Sequence, residues 1–137
     1  MNQTNISNPT LLGLRIAVSG IFISAGINHL QKPNGIEGRI LEASSGKFVS
    51  SIADPYFLAI SSGVLLLLFG ITFLFGIYTR LSAIALFILL IPITLTIQVY
   101  GGLLFGPFWK NVAIFGGLSI FIFNKNLPYQ IFPKNKS

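Results

Sequence analysis

Few side chains in this sequence can do chemistry. Its 137 residues include no cysteine, one histidine (His29), one methionine (Met1) and three acids, Glu37, Glu42 and Asp54. Without a thiol there is no disulfide, thiolate metal site or thiol redox chemistry. One histidine and one methionine exclude a bis-His haem, and a His/Met pair is excluded because the methionine is Met1. His29 has no second histidine, cysteine or carboxylate pattern beside it, which makes it a poor metal ligand. No phosphate-cradling glycine loop, catalytic triad or metal-ligand spacing is present. What remains is an imidazole that can cap a helix, bond a carbonyl or pass a proton near neutral pH. No catalytic residue is assigned to the chain.

Other polar residues gather near His29 in the reading of the chain. Asn28 and His29 close the first apolar segment, Gln98 and Tyr100 close the third, and Trp109, Lys110 and Asn111 open the fourth. Antiparallel threading places all of these at one membrane depth. A small amphipathic ligand, with a polar head and a lipid tail, fits such a mouth, and Asn28, His29, Gln98, Tyr100, Lys110 and Asn111 are its candidate contacts. The alternative is a polar rim with its aromatic belt. Arg15 lies inside the first apolar run, about 6 Å from the run's start at 1.5 Å per residue. A side chain at that depth is expected to snorkel to the headgroups.

The elements that must position these groups are apolar. Hydrophobic residues make up 53% of the chain and charged residues only 9%, against roughly a quarter in soluble domains. Mean hydropathy is +0.78. A free-standing soluble domain, a coiled coil and disorder are excluded. Four stretches, at about 11–30, 55–76, 81–100 and 108–124, approach or reach the roughly 20 residues a membrane helix needs. The expected fold is all-α: an integral membrane four-helix bundle in one domain, with a polar tail over 125–137. A cleaved signal peptide fits the first stretch poorly, because Arg15 interrupts it and no basic residue precedes it.

The connection over residues 31–54 is the long one and holds all three acids. Ile36, Ile40, Leu41 and Phe48 fall near helical spacing there, which suggests a short interfacial helix weakened by Gly38 and Gly46. Pro92 should kink the third helix, with Thr94 and Thr96 able to satisfy freed carbonyls. Gly13/Ala17, Gly20/Ser24, Ala59/Gly63 and Ala113/Gly117 are small-residue pairs suited to close helix packing. With four crossings, Arg15, Arg80, Lys125, Lys134 and Lys136 share the side of the termini, and Lys32, Arg39, Lys47 and Lys110 lie opposite. The basic excess places both termini in the cytoplasm. The bases are scattered, so anionic lipid headgroups, not nucleic acid, are the expected partner.

Three patches together resemble the DoxX family of small four-helix membrane proteins. They are Arg15 through Pro33 (RIAVSGIFISAGINHLQKP), Gly63 through Ala85 with its turn Gly76-Ile77-Tyr78-Thr79-Arg80, and Trp109-Lys110-Asn111 leading to Gly116-Gly117. The resemblance implies a bacterial cytoplasmic (inner) membrane protein with both termini inside. It draws attention to Arg15, Gly76, Thr79, Arg80, Lys110 and Asn111. The family takes its name from the membrane part of a thiosulfate:quinone oxidoreductase, and other members look like membrane partners of redox or oxidative-stress proteins. Two departures stand out. Many members carry lysine where this chain has His29, and many carry an acid where this chain has Leu66.

Three functions are therefore expected to compete. The first is an accessory or quinone-linked subunit working with a redox protein, with no covalently bound cofactor and a quinone at the mouth. The second is a non-catalytic anchor or assembly protein for another membrane complex. The third is a carrier of a small amphipathic solute, for which a single four-helix chain is small, so that a homo-oligomer would be needed.

Overall fold

The computed structural model describes residues 6–98, 103–124 and 127–131. The fold is all-α. Helix α1 spans Asn8–Gln31, α2 Pro33–Glu42, α3 Gly46–Ile52, α4 Pro55–Leu74, α5 Thr79–Ile93 and α6 Gly106–Phe123. A π-helical turn, Thr94–Gln98, continues α5. Four helices are long and apolar enough to cross a membrane: Asn8–Gln31, Pro55–Leu74, Thr79–Thr96 and Gly106–Phe123. Within the most apolar window of each, only 28–33% of residues are buried inside the bundle. The remaining apolar side chains, Ile16, Val64, Leu68, Leu81 and Ile88 among them, face outward. An apolar surface that continuous belongs against lipid, and the molecule is a multi-pass membrane helical bundle.

The helix ends have local causes. Gly76 has φ +71 and Tyr78 φ 45, so the chain leaves helical geometry after Leu74 and re-enters at Thr79. Both ends differ by two residues from those read off hydropathy, because the left-handed turn, not the loss of apolar character, sets them. A proline near the start of α1, α4 and α6 fits the first turn, where its missing N–H is not needed. Asp54 caps α4 by accepting the Phe57 N–H at 3.1 Å. Pro92 stands two residues before the start of the π-helical turn, and the Thr94 hydroxyl donates to the Leu90 carbonyl at 2.7 Å.

Helices α1 and α4 form the most extensive pair, and glycine makes the pairing close. A Cβ on Gly26 would stand 2.8 Å from the Leu67 backbone nitrogen, and one on Gly63 2.8 Å from the His29 Cβ. Of the four small-residue pairs, Ala59/Gly63 is the one whose members are both buried; Gly13, Ala17, Gly20 and Ser24 are exposed. The main core joins Val18 and Phe22 of α1, Leu66 and Phe73 of α4, Leu86 and Leu90 of α5, and Leu118 and Phe121 of α6.

The long connection forms two short helices, not one, with the break at Ala43–Ser45. Ile36 and Ile40 of α2 bury against Ala59 of α4, flanked by Val49 and Leu58. Leu41, Phe48 and Ile52 stay exposed, so the α2–α3 pair covers the start of α4 and presents a second apolar face outward.

Candidate functional site

Where α1 ends, the α2–α3 cover does not close fully onto the bundle. It leaves a cavity of about 560 Å³ between α1, α2, α3, α4 and the end of α5, within the range of small-molecule sites. Its walls are mainly apolar: Ile36 and Ile40 from α2, Phe48, Val49 and Ile52 from α3, Leu58 and Leu65 from α4, and Leu89, Pro92, Ile93 and Leu95 on the α5 side. Five polar residues interrupt them: His29, Ser45, Ser61, Ser62 and Thr96.

His29 is buried, and its Nδ1 lies 2.9 Å from the Ser62 hydroxyl. Ser62 in turn donates to the Ala59 carbonyl at 3.1 Å. One hydroxyl carries one proton, so two arrangements follow. With the Ser62 proton on Ala59, His29 Nδ1 donates to Ser62 and Nε2 is an acceptor. With the Ser62 proton turned to Nδ1, Nε2 carries hydrogen and donates. The Ser62 hydroxyl therefore accommodates either ring tautomer of His29, and Nε2 accepts in one and donates in the other. Ser61 is satisfied by its own helix, donating to Phe57 at 2.8 Å. The buried Ser45 hydroxyl has no hydrogen-bond partner among the described residues, although it lines the cavity.

Of the six mouth residues expected from the sequence, the four whose side chains are described do not converge. His29 lines the cavity. Asn28, its neighbour, is exposed. Asn111 is buried but donates to the Thr94 hydroxyl at 2.9 Å, which ties α6 to α5. Lys110 is exposed. The Gln98 backbone lies in the π-helical turn, its side chain is outside the described residues, and so is all of Tyr100. Ser45 and Ser62 were not among the expected residues. The signal for Ser62 is present in hindsight, because Ala59, Ser62, Gly63 and Leu66 share the α4 face that meets α1.

The remaining motif residues gather at the opposite end. Arg15 is 1% exposed. Its Nη1 donates to the Tyr129 carbonyl at 2.8 Å and its Nη2 to the Pro128 carbonyl at 2.9 Å. The guanidinium carbon stands 5.7 Å from the Phe121 ring centroid. Arg15 therefore turns into the bundle and does not snorkel, because the tail folds back and supplies carbonyls there. Thr79 is buried and Gly76 lies against Arg15, whereas Arg80 is exposed.

The DoxX family profile matches residues 10–99, well over half of the chain. The chain belongs to the DoxX family. The matched stretch runs from α1 through the π-helical turn, so it contains every element that walls the cavity and excludes α6. No curated protein and no solved structure matches the chain. Among the described residues of this DoxX-family chain, no group of three or more His, Asp or Glu side chains is placed to hold a metal ion.

Proposed function

We propose that this DoxX-family chain is a quinone-binding membrane subunit that serves a separate redox protein. The observation that carries the reading is the apolar cavity with His29, backed by Ser62, in its wall. A quinone has a flat polar head with carbonyl acceptors, which become hydroxyl donors on reduction, and an apolar tail. His29 suits both states, since Nε2 donates or accepts according to the ring tautomer, and the Ser62 hydroxyl accommodates either one. The quinone, when bound, supplies the two-electron, two-proton chemistry. The chain's residues orient the head, exclude water and hold a proton at the imidazole.

The lining residues also indicate how such a molecule arrives. Phe48 and Ile52 are each 69% exposed and Leu95 63% exposed, yet all three line the cavity. The chamber is thus open sideways between α3 and α5, toward lipid, and a tail can remain in the bilayer while the head is held. The test is equilibrium binding of decylubiquinone to the full chain in nanodiscs. The expected result is saturable binding that weakens about three- to tenfold in His29→Ala, the worth of one neutral hydrogen bond. Absence of saturable binding, or equal affinity in the variant, rejects the proposal.

A second reading, an anchoring or assembly protein, is favoured by one observation. Gly13, Ala17, Gly20 and Ser24 form an exposed small-residue row on α1, the kind of surface another membrane helix packs against. Recovery of the chain alone from native membranes in mild detergent counts against it.

A further inference from the structure

The cavity wall carries a second polar group besides His29. Of the five polar residues that line it, Ser61 bonds a carbonyl of its own helix, and Ser62 is held between the Ala59 carbonyl and His29. The Ser45 hydroxyl is sealed away from the open space. His29 and Thr96 remain. Thr96 is partly buried. Its hydroxyl bonds no described residue and, unlike that of Ser45, is not sealed from the chamber it lines.

The freedom of this hydroxyl has a local cause. On a regular helix a Ser or Thr hydroxyl bonds back to the carbonyl four residues earlier, as Thr94 does to Leu90, Ser61 to Phe57 and Ser119 to Phe115. Four residues before Thr96 is Pro92, and between them the backbone widens into the π-helical turn Thr94–Gln98. Backbone bonds there span five residues instead of four, and Thr96 makes no bond back to Pro92. Thr94 alone satisfies a carbonyl in this stretch, where the sequence offered both threonines for that task.

His29 and Thr96 stand on different walls, His29 near the end of α1 and Thr96 in the turn that ends α5. The 10-residue α2 packs against both α1 and the π-helical turn, which holds the two walls about one short helix apart. Ile36 and Ile40 of α2 line the chamber between them.

We infer that Thr96 is a second binding residue for the ligand of this chamber, bonding one oxygen of its head while His29 bonds another. The inference rests on the quinone reading and narrows it. Polar groups on two walls select a head with oxygens on opposite edges, as in a para-quinone, over a fatty acid or long-chain alcohol, whose polar atoms sit at one end. A hydroxyl both donates and accepts, so Thr96 serves the quinone and the quinol alike.

The full chain in nanodiscs is titrated with decylubiquinone. Thr96→Val keeps the side chain's shape and removes its hydroxyl, and should weaken binding about three- to tenfold, whereas Thr96→Ser should stay within about twofold of wild type. In the double variant His29→Ala, Thr96→Val the two losses should multiply, to roughly ten- to a hundredfold. If Thr96→Val does not fold, Thr96→Ala takes its place. Wild-type affinity in Thr96→Val, a Thr96→Ser protein as weak as Thr96→Val, or a double variant no weaker than His29→Ala overturns the inference, and the loss in His29→Ala then leaves the quinone reading standing. Absence of saturable binding in wild type rejects the quinone reading itself, and this inference with it.

Discussion

The α1–α4 seam offers the sharpest test of the packing, through Gly26→Ala. The new Cβ would meet the Leu67 nitrogen at 2.8 Å, the Gly63 carbonyl oxygen at 2.9 Å and the Leu67 Cβ at 3.1 Å. Two of these are backbone atoms of a regular helix and cannot rotate away. Restoring ordinary contact near 3.4 Å requires the helices to part by roughly 0.6 Å, an overpacking strain of about 1–3 kcal/mol. Alanine returns up to about 1 kcal/mol of helix propensity, so the net loss is about 0–2 kcal/mol. At roughly 3–5 °C per kcal/mol for a chain of this length, Tm should fall by up to about 10 °C. The same separation, carried one turn along α1, stretches the 2.9 Å His29–Ser62 bond to about 3.5 Å, the outer edge of a hydrogen bond. Ligand affinity should therefore fall with stability. Gly20→Ala is the control, because nothing lies within 4 Å of its Cβ, and its Tm should hold or rise. Thermal unfolding of both variants in the same detergent decides the matter. A Gly26→Ala protein as stable as Gly20→Ala would refute the close-approach argument.

Other expectations follow from particular contacts. Gly76→Ala forces a side chain into φ +71 and onto the Tyr129 carbonyl at 2.5 Å; it should cost about 1–3 kcal/mol and make the Tyr129–Gln130 bond markedly more susceptible to chymotrypsin. Asn111→Ala removes the bond to Thr94 and should cost about 0.6–1.7 kcal/mol in lipid, read by unfolding in detergent, with quinone-analogue affinity unchanged. Ile40→Trp, at the cavity wall, should abolish decylubiquinone binding at concentrations that saturate wild type. Because the chain lacks cysteine, single substitutions report topology cleanly. A membrane-impermeant maleimide should label Lys47→Cys in spheroplasts with the inner membrane intact and Ser7→Cys only after permeabilisation; the reverse pattern would invert the orientation drawn from the basic residues.

The four spanning helices were legible because a run of apolar residues is a bulk property that needs no knowledge of neighbours. Their ends were less so: Gly76 and Tyr78 set them by backbone conformation, which hydropathy does not register. The connection over 31–54 showed its apolar spacing, but its break at Ala43–Ser45 depends on Ile36 and Ile40 finding Ala59, a tertiary contact. The depth of the candidate cavity was readable from His29. Its membership was not, since depth fixes the level of a residue and not the direction it faces; Asn28 and Lys110 share the level and face outward. Arg15 was misread because its partners are backbone carbonyls of Pro128 and Tyr129, atoms present in any sequence. The burial of Leu127 and the Ile131 N–H bond to the Gly76 carbonyl at 3.2 Å help to dock that stretch there.

The sideways opening between α3 and α5 sets what the chamber samples. On the proposed function, a quinone that crosses it comes from the bilayer, so occupancy should follow its mole fraction among the lipids, not its molarity in the medium. Lengthening its isoprenoid chain should then change partitioning far more than binding. Dilution of the membrane with inert phospholipid should empty the chamber even when the total amount of guest per cell stays fixed.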